Sequence, residues 1–136
     1  MICLEFSILL THFSTLSTFN EHVLSLRINK IIVEKILRYV GKILDYTKDV
    51  KYDNFINNSI LVEACVFNLS QIGELANKID DEFEQNNSTI PWRVLYGLRN
   101  KIVHDYEGVN LILIWDIIKD DLPGLNIQLK ELCEAL

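Results

Sequence analysis

The sequence predicts an all-α protein, an up-and-down bundle of four to five helices. Three observations lead there. Hydrophobic residues make up 49% and charged residues 24% of 136, the balance of a packed globular core. Only five glycines and two prolines are present, so the elements are few and long. From Ile28 onward, apolar residues recur at spacings of three and four, the period of one helix face. The length is that of one domain, enough to bury about 70% of the unfolded surface.

Residues 1–27 stand apart from residues 28–136, which form the helical domain. This N-terminal extension is rich in Ser, Thr and Phe and nearly free of charge. A secretory signal would carry Lys or Arg ahead of its apolar run, but the early charge here is Glu5, and no small-residue cleavage site follows. The segment reads as an extra helix or strand packed on the domain or, preferably, as sequence upstream of the natural start, poorly packed or disordered. His12 and His22 then carry no catalytic meaning. No unbroken run of about 20 apolar residues is present to span a bilayer, so no membrane association is expected.

The first helix of the domain is marked by Ile32, Ile36, Val40, Ile43 and Thr47, with Lys35, Arg38, Lys42, Asp45 and Lys48 on the solvated face. Tyr52-Asp53-Asn54 interrupts it. Asp53 is a candidate cap for a second helix carrying Phe55, Leu61, Val62, Cys65, Leu69 and Ile72 to about Ile79. Asp80 to Thr89 is polar and reads as a loop. A third helix starts at Pro91, a good first helical residue, and runs to about Ile102 with Trp92, Leu95 and Leu98 packing inward. Asn110 can cap the apolar run Leu111 to Ile118, and Pro123-Gly124 separates that run from a final amphipathic piece, Leu125 to Leu136.

Function is concentrated in Arg99-Asn100-Lys101-Ile102-Val103-His104-Asp105-Tyr106, which puts a guanidinium, an imidazole and a phenol within one short stretch. Arg99 offers a planar, permanently charged fork that matches phosphate oxygens. An unperturbed imidazole titrates near ~6.5, so His104 can move protons at neutral pH. Positions five apart on a straight helix point about 140° away from each other. Either the helix ends between Arg99 and His104, or the working pair is assembled across a two-fold interface between copies.

The net charge of −6 argues against a general nucleic-acid coat, because affinity for a phosphate backbone draws on Lys and Arg. A local cationic cleft needs few residues, and Arg93 and Lys101 lie close enough in sequence to Arg99 to join it as phosphate-binding groups. Lys101 reads equally well as a solvated lysine. Cys3, Cys65 and Cys133 are widely spaced, with no C-x-x-C pair, which argues against a zinc site or disulfide framework. Cys65 reads as a small core residue, and reduced thiols fit a cytoplasmic protein. No metal ligands, cofactor motif, P-loop or Ser-His-Asp set is found, so neither metal nor cofactor is expected.

The segment Pro91-Trp92-Arg93 through Gly97-Leu98-Arg99-Asn100, followed by His104 and Tyr106, resembles the R-x4-H-x-Y signature of HepT-like toxins, a branch of the HEPN superfamily. Gln71-Ile72-Gly73-Glu74 resembles the family's Ile-Gly-Glu segment, and Trp115 to Pro123 its tail helix. The resemblance covers about Ile28 to Leu136. It implies a HEPN-like bundle, a homodimer, and the toxin of a type II or type VII-like toxin–antitoxin system. The implied activity is metal-independent cleavage of RNA through its 2′-hydroxyl, with Arg99 and His104 catalytic. The implied partner is an MNT-type nucleotidyltransferase antitoxin, which transfers AMP to Tyr106.

From the residues themselves, Asn100 could orient the scissile phosphate or His104. Gly73, unfavourable by about 1 kcal/mol in a helix interior, suggests a close backbone approach beside Glu74, which would then hold Arg99 or a backbone donor. The alternative to an enzyme is a non-catalytic helical module that binds a nucleotide or the nucleotidyltransferase. A third possibility makes Arg99 and His104 members of structural ion pairs with Glu74, Asp105 or Glu107.

Overall fold

The structure, a computed structural model, describes residues 2–104 and 110–136. Every described element is helical: α1 (Ile2–Tyr46), α2 (Tyr52–Ile56), α3 (Ser59–Ala76), α4 (Asp81–Asn86), α5 (Trp92–His104), α6 (Leu111–Asp116) and α7 (Leu122–Ala135). The long helices make the bundle. α3 packs against α1 on one side and α5 on the other, and α7 lies along α1.

The core stripe of α1 is Ile32, Val33, Ile36, Val40 and Ile43. It meets Cys65, Leu69, Ile72 and Ala76 of α3, all fully buried, with Leu95 and Leu98 of α5 and Leu122, Leu125 and Leu129 of α7 closing the interior. α3 is apolar and long enough to cross a membrane by length and composition, a test that a core helix packed between two neighbours also passes. Burial pushes the Cys65 thiol up to about 11, so it sits in the core as a small neutral group.

Several boundaries differ from the sequence-based expectation. α1 begins at Ile2, so the extension is helical and continuous with the first helix of the domain. No Gly or Pro occurs before Gly41 to break it. The hydroxyls of Thr11, Thr15 and Thr18 donate to carbonyls three or four residues back, so the Ser/Thr-rich stretch is satisfied within the helix. From Leu4 through His22 this helix is exposed, with Phe6, Leu9 and Phe13 each more than 65% accessible.

The expected second helix is two. Asn58, not Asp53, is the cap of its main part, accepting from the Leu61 amide, and α2 is a short turn that plants Phe55 in the core. Asp80 to Thr89 is not all loop: α4 forms there because Phe83 is buried, with its ring 6.3 Å from that of Trp92.

Pro123 does not separate two helices. α6 passes through a π-helical turn, Ile117–Asp121, directly into α7, and Pro123 sits in the first turn of α7. A proline in a helix has no amide to donate and crowds the carbonyl four residues back, and the wider turn relieves both problems. Lys119 fixes this joint to the end of α1: its Nζ donates to the Thr47 carbonyl at 2.9 Å and lies 4.5 Å from the Trp115 ring centroid. Asn110 caps α6 as expected, accepting from the Leu113 amide.

Candidate functional site

The site is built where α3 and α5 cross. The absence of a side chain at Gly73 lets the two backbones meet: a Cβ there would lie 3.0 Å from the Arg99 amide nitrogen and 3.2 Å from both the Arg99 Cβ and the Leu95 carbonyl oxygen. The glycine is thus the close approach that the sequence suggested.

One residue on, Glu74 meets the Arg99 side chain, with Oε1 2.5 Å from Nε. Side-chain exposure is 52% for Arg99 and 37% for Glu74, so the pair is wet and the guanidinium remains open to solvent. Exposed pairs contribute about 0–1 kcal/mol to stability. Glu74 therefore does more to fix the direction of the arginine than to hold the fold. Asn77, one turn further along, donates its side-chain amide to the Gly73 carbonyl at 3.0 Å, securing the end of α3 beside the crossing.

α5 does not end between Arg99 and His104. It is helical from Trp92 through His104, with buried Trp92, Leu95, Leu98 and Ile102 against the core. Its start is fixed by Trp92, whose indole nitrogen donates to the Asn87 carbonyl at 3.0 Å. With the helix unbroken, the register puts His104 about 140° round from Arg99, on the same strip as Arg93, Gly97 and Asn100. The side chain of His104 lies outside the described residues, as does Tyr106 altogether.

The other expected members scatter. Arg93, Asn100 and Lys101 are all exposed on α5. Lys101, two residues from Arg99 and so about 200° away, lines the small crevice between α5 and α6 with Leu98, Asn110 and Ile114. Of the expected group, the described side chains bring together only Arg99 and Glu74. Tyr96, which sequence reasoning passed over, buries its hydroxyl one turn before Arg99 with no partner among the described residues. Among those residues no cluster of three or more His, Cys, Asp or Glu gathers as a metal site.

Comparison with known proteins supplies the family. Residues 36–132 match the model described as "Ribonuclease HepT-like". "Putative RNase MJ1380" of Methanocaldococcus jannaschii is 34% identical over 74% of this chain and 93% of its own length. "Putative RNase TTE0752" of Caldanaerobacter subterraneus subsp. tengcongensis is 32% identical over 75% of this chain and 91% of its own. "Probable ribonuclease HepT" of Thermococcus cleftensis is 28% identical over 78% and 96%. No solved structure gives a significant match. The matched segment spans α3, α5 and the crossing that carries Arg99, and the chain belongs to the HepT-like ribonuclease family.

Proposed function

We propose that this protein is an endoribonuclease that cleaves RNA without a metal ion, in a cleft formed by two copies of the chain. The observation that carries the proposal is the unbroken α5: a single copy holds Arg99 against Glu74 at the α3 crossing while the register puts His104 on another side of the helix. A two-fold axis running between the His104 and Arg99 sides of α5, near Asn100, would bring each copy's His104 toward the other's Arg99.

The 2′-hydroxyl of RNA is an internal nucleophile, so little covalent chemistry falls to the protein. His104 takes the 2′-hydroxyl proton as the oxygen attacks phosphorus, or returns a proton to the departing 5′-oxygen. Arg99 offers its outer guanidinium nitrogens to the nonbridging oxygens, where negative charge builds up. Glu74, paired with Nε, keeps the fork aimed. Asn100 orients the phosphate or the imidazole. The products are a 2′,3′-cyclic phosphate and a free 5′-hydroxyl.

The same reading covers regulation. Tyr106, two residues beyond His104, is the acceptor for AMP from an MNT-type nucleotidyltransferase antitoxin. The added negative charge and bulk beside Arg99 would satisfy its guanidinium and exclude RNA. The protein is then the toxin of a toxin–antitoxin pair and works in the cytoplasm.

The experiment is incubation of purified protein with RNA, with and without EDTA, beside Arg99→Ala and His104→Ala. Cleavage that persists in EDTA, leaves cyclic phosphate ends and disappears in both folded variants supports the reading. Intact RNA under every condition, or cleavage that survives either substitution, overturns it.

A further inference from the structure

α1 carries a second cationic feature that the catalytic reading does not use. Lys35, Arg38 and Lys42, spaced three and four apart, stand on one side of the helix and, with Tyr39, Gln71 and Leu75, line a groove of about 260 Å³ between α1 and α3. All three cations are exposed, and among the described residues none has a carboxylate within 4.0 Å; the ion pair found there is Arg99 with Glu74. The acids nearest in sequence on this face, Glu34 and Asp45, are exposed and form no ion pair with the three cations among the described residues. In a chain of net charge −6, this is a local reversal of sign.

The groove also carries an aromatic ring. Tyr39 is half-buried on its wall, with the Lys42 ammonium 5.5 Å from the ring centroid. Cations in a row beside an aromatic surface and an amide suit a single strand, whose phosphates meet the charges and whose bases meet the ring.

The position fits a role in guiding substrate. Gln71 borders the groove on one side of α3, and Glu74, one turn along, holds Arg99 on the other. Neighbouring helices pack about 8–10 Å apart, so the groove lies roughly one helix width from the guanidinium. From Lys35 to Lys42 the cations extend over about 10 Å along α1, long enough for a short run of phosphates.

We infer that the Lys35–Arg38–Lys42 groove binds the phosphate backbone of single-stranded RNA flanking the bond presented to Arg99. The inference rests on the ribonuclease reading for the identity of the strand. Its test does not require cleavage.

The test measures binding of a labelled single-stranded 2′-O-methyl oligoribonucleotide, which lacks the attacking hydroxyl, to the full chain over a range of salt. The combined variant Lys35→Gln/Arg38→Gln/Lys42→Gln is compared with a control of equal charge change, Lys48→Gln/Lys78→Gln/Lys130→Gln, at exposed positions outside the groove. Loss of three phosphate contacts should flatten the log–log salt dependence by about 2 and weaken binding about 100-fold at 0.1 M salt, with the control close to the parent. Unchanged affinity and slope in the groove variant, or an equal loss in both, overturns the inference. So does intact RNA binding with lost binding to a nucleotidyltransferase, which would assign the groove to a protein. A chain that binds this oligomer through the groove yet leaves unmodified RNA intact would sink the ribonuclease reading and leave the groove standing.

Discussion

Gly73 lies against the backbone of Arg99 so closely that a methyl group at its Cα would come within 3.0 Å of the arginine's amide nitrogen. The contact surfaces are backbone and Cβ atoms, which cannot swing aside as the tip of a long side chain would. Alanine is favoured over glycine in a helix by about 1 kcal/mol, whereas overpacking costs about 1–3 kcal/mol. Gly73→Ala is therefore expected to be destabilising by about 1–2 kcal/mol in denaturant titration, despite its better helix propensity. A variant as stable as the parent would mean that the two helices are not in contact there.

Glu74 separates positioning from stability. Its pair with Arg99 is solvent-exposed, so Glu74→Ala should change unfolding free energy by less than about 1 kcal/mol. A catalytic group displaced by about 1 Å can lose about 100-fold in rate, so RNA cleavage by Glu74→Ala should fall by one to two orders of magnitude. Glu74→Gln retains a hydrogen-bond acceptor for Nε and should recover part of that loss. Equal activity in all three proteins would show that Arg99 needs no anchor.

Asn29 and Asp80 give the fold a pH-dependent tie. Asn29, almost fully buried in α1, donates to the Asp80 carboxylate at 2.8 Å and accepts from the Asp80 amide at 3.2 Å, and the Ser25 hydroxyl also donates to that carboxylate. These donors hold the Asp80 carboxyl below its ordinary value. A carboxyl whose pKa falls on folding contributes stability above the unfolded value, near 3.9, and loses it as pH drops through the lower folded value. Asn29→Ala should cost about 1–2 kcal/mol at neutral pH, and the gap to the parent should narrow as pH falls below about 4. It should not close fully, since the amide of Asp80 still needs its acceptor. A gap that stays constant with pH would assign the cost to packing alone.

The sequence announced its helices through periodicity, and where periodicity was strong, as in Ile32 to Ile43 and Trp92 to Leu98, the core faces are as read. The misplaced boundaries lie where a local signal competed with tertiary packing. Asp53 and Asn58 are both good cap residues, and only the burial of Phe55 and Cys65 decides that the main helix starts at the second. Pro123 is a reliable breaker except behind a π-helical turn, which spacing alone does not reveal. Phe83 could not announce α4, because the ring it packs against, Trp92, belongs to another helix.

The site divides along the same line. Gly73, Glu74 and Arg99 could be linked from sequence because a glycine in a helix interior needs a reason and a neighbouring helix supplies one. The groove of Lys35, Arg38 and Lys42 could not. Those residues looked like any solvated face until α3 brought Gln71 and Leu75 beside them. Arg93, Asn100 and Lys101 are near Arg99 in sequence, but helix geometry turns each about 100° or more away from it.

The shared cleft is most sharply examined by mixing two inactive variants. Arg99→Ala and His104→Ala are each purified, then unfolded and refolded together so that subunits exchange. About half of the resulting dimers would be mixed, each keeping one complete pair formed by the arginine of one copy and the histidine of the other, so RNA cleavage should return to about a quarter of the parent rate. A mixture that is dimeric and as inactive as either variant alone would contradict the account, because Arg99 and His104 would then have to act within the same chain.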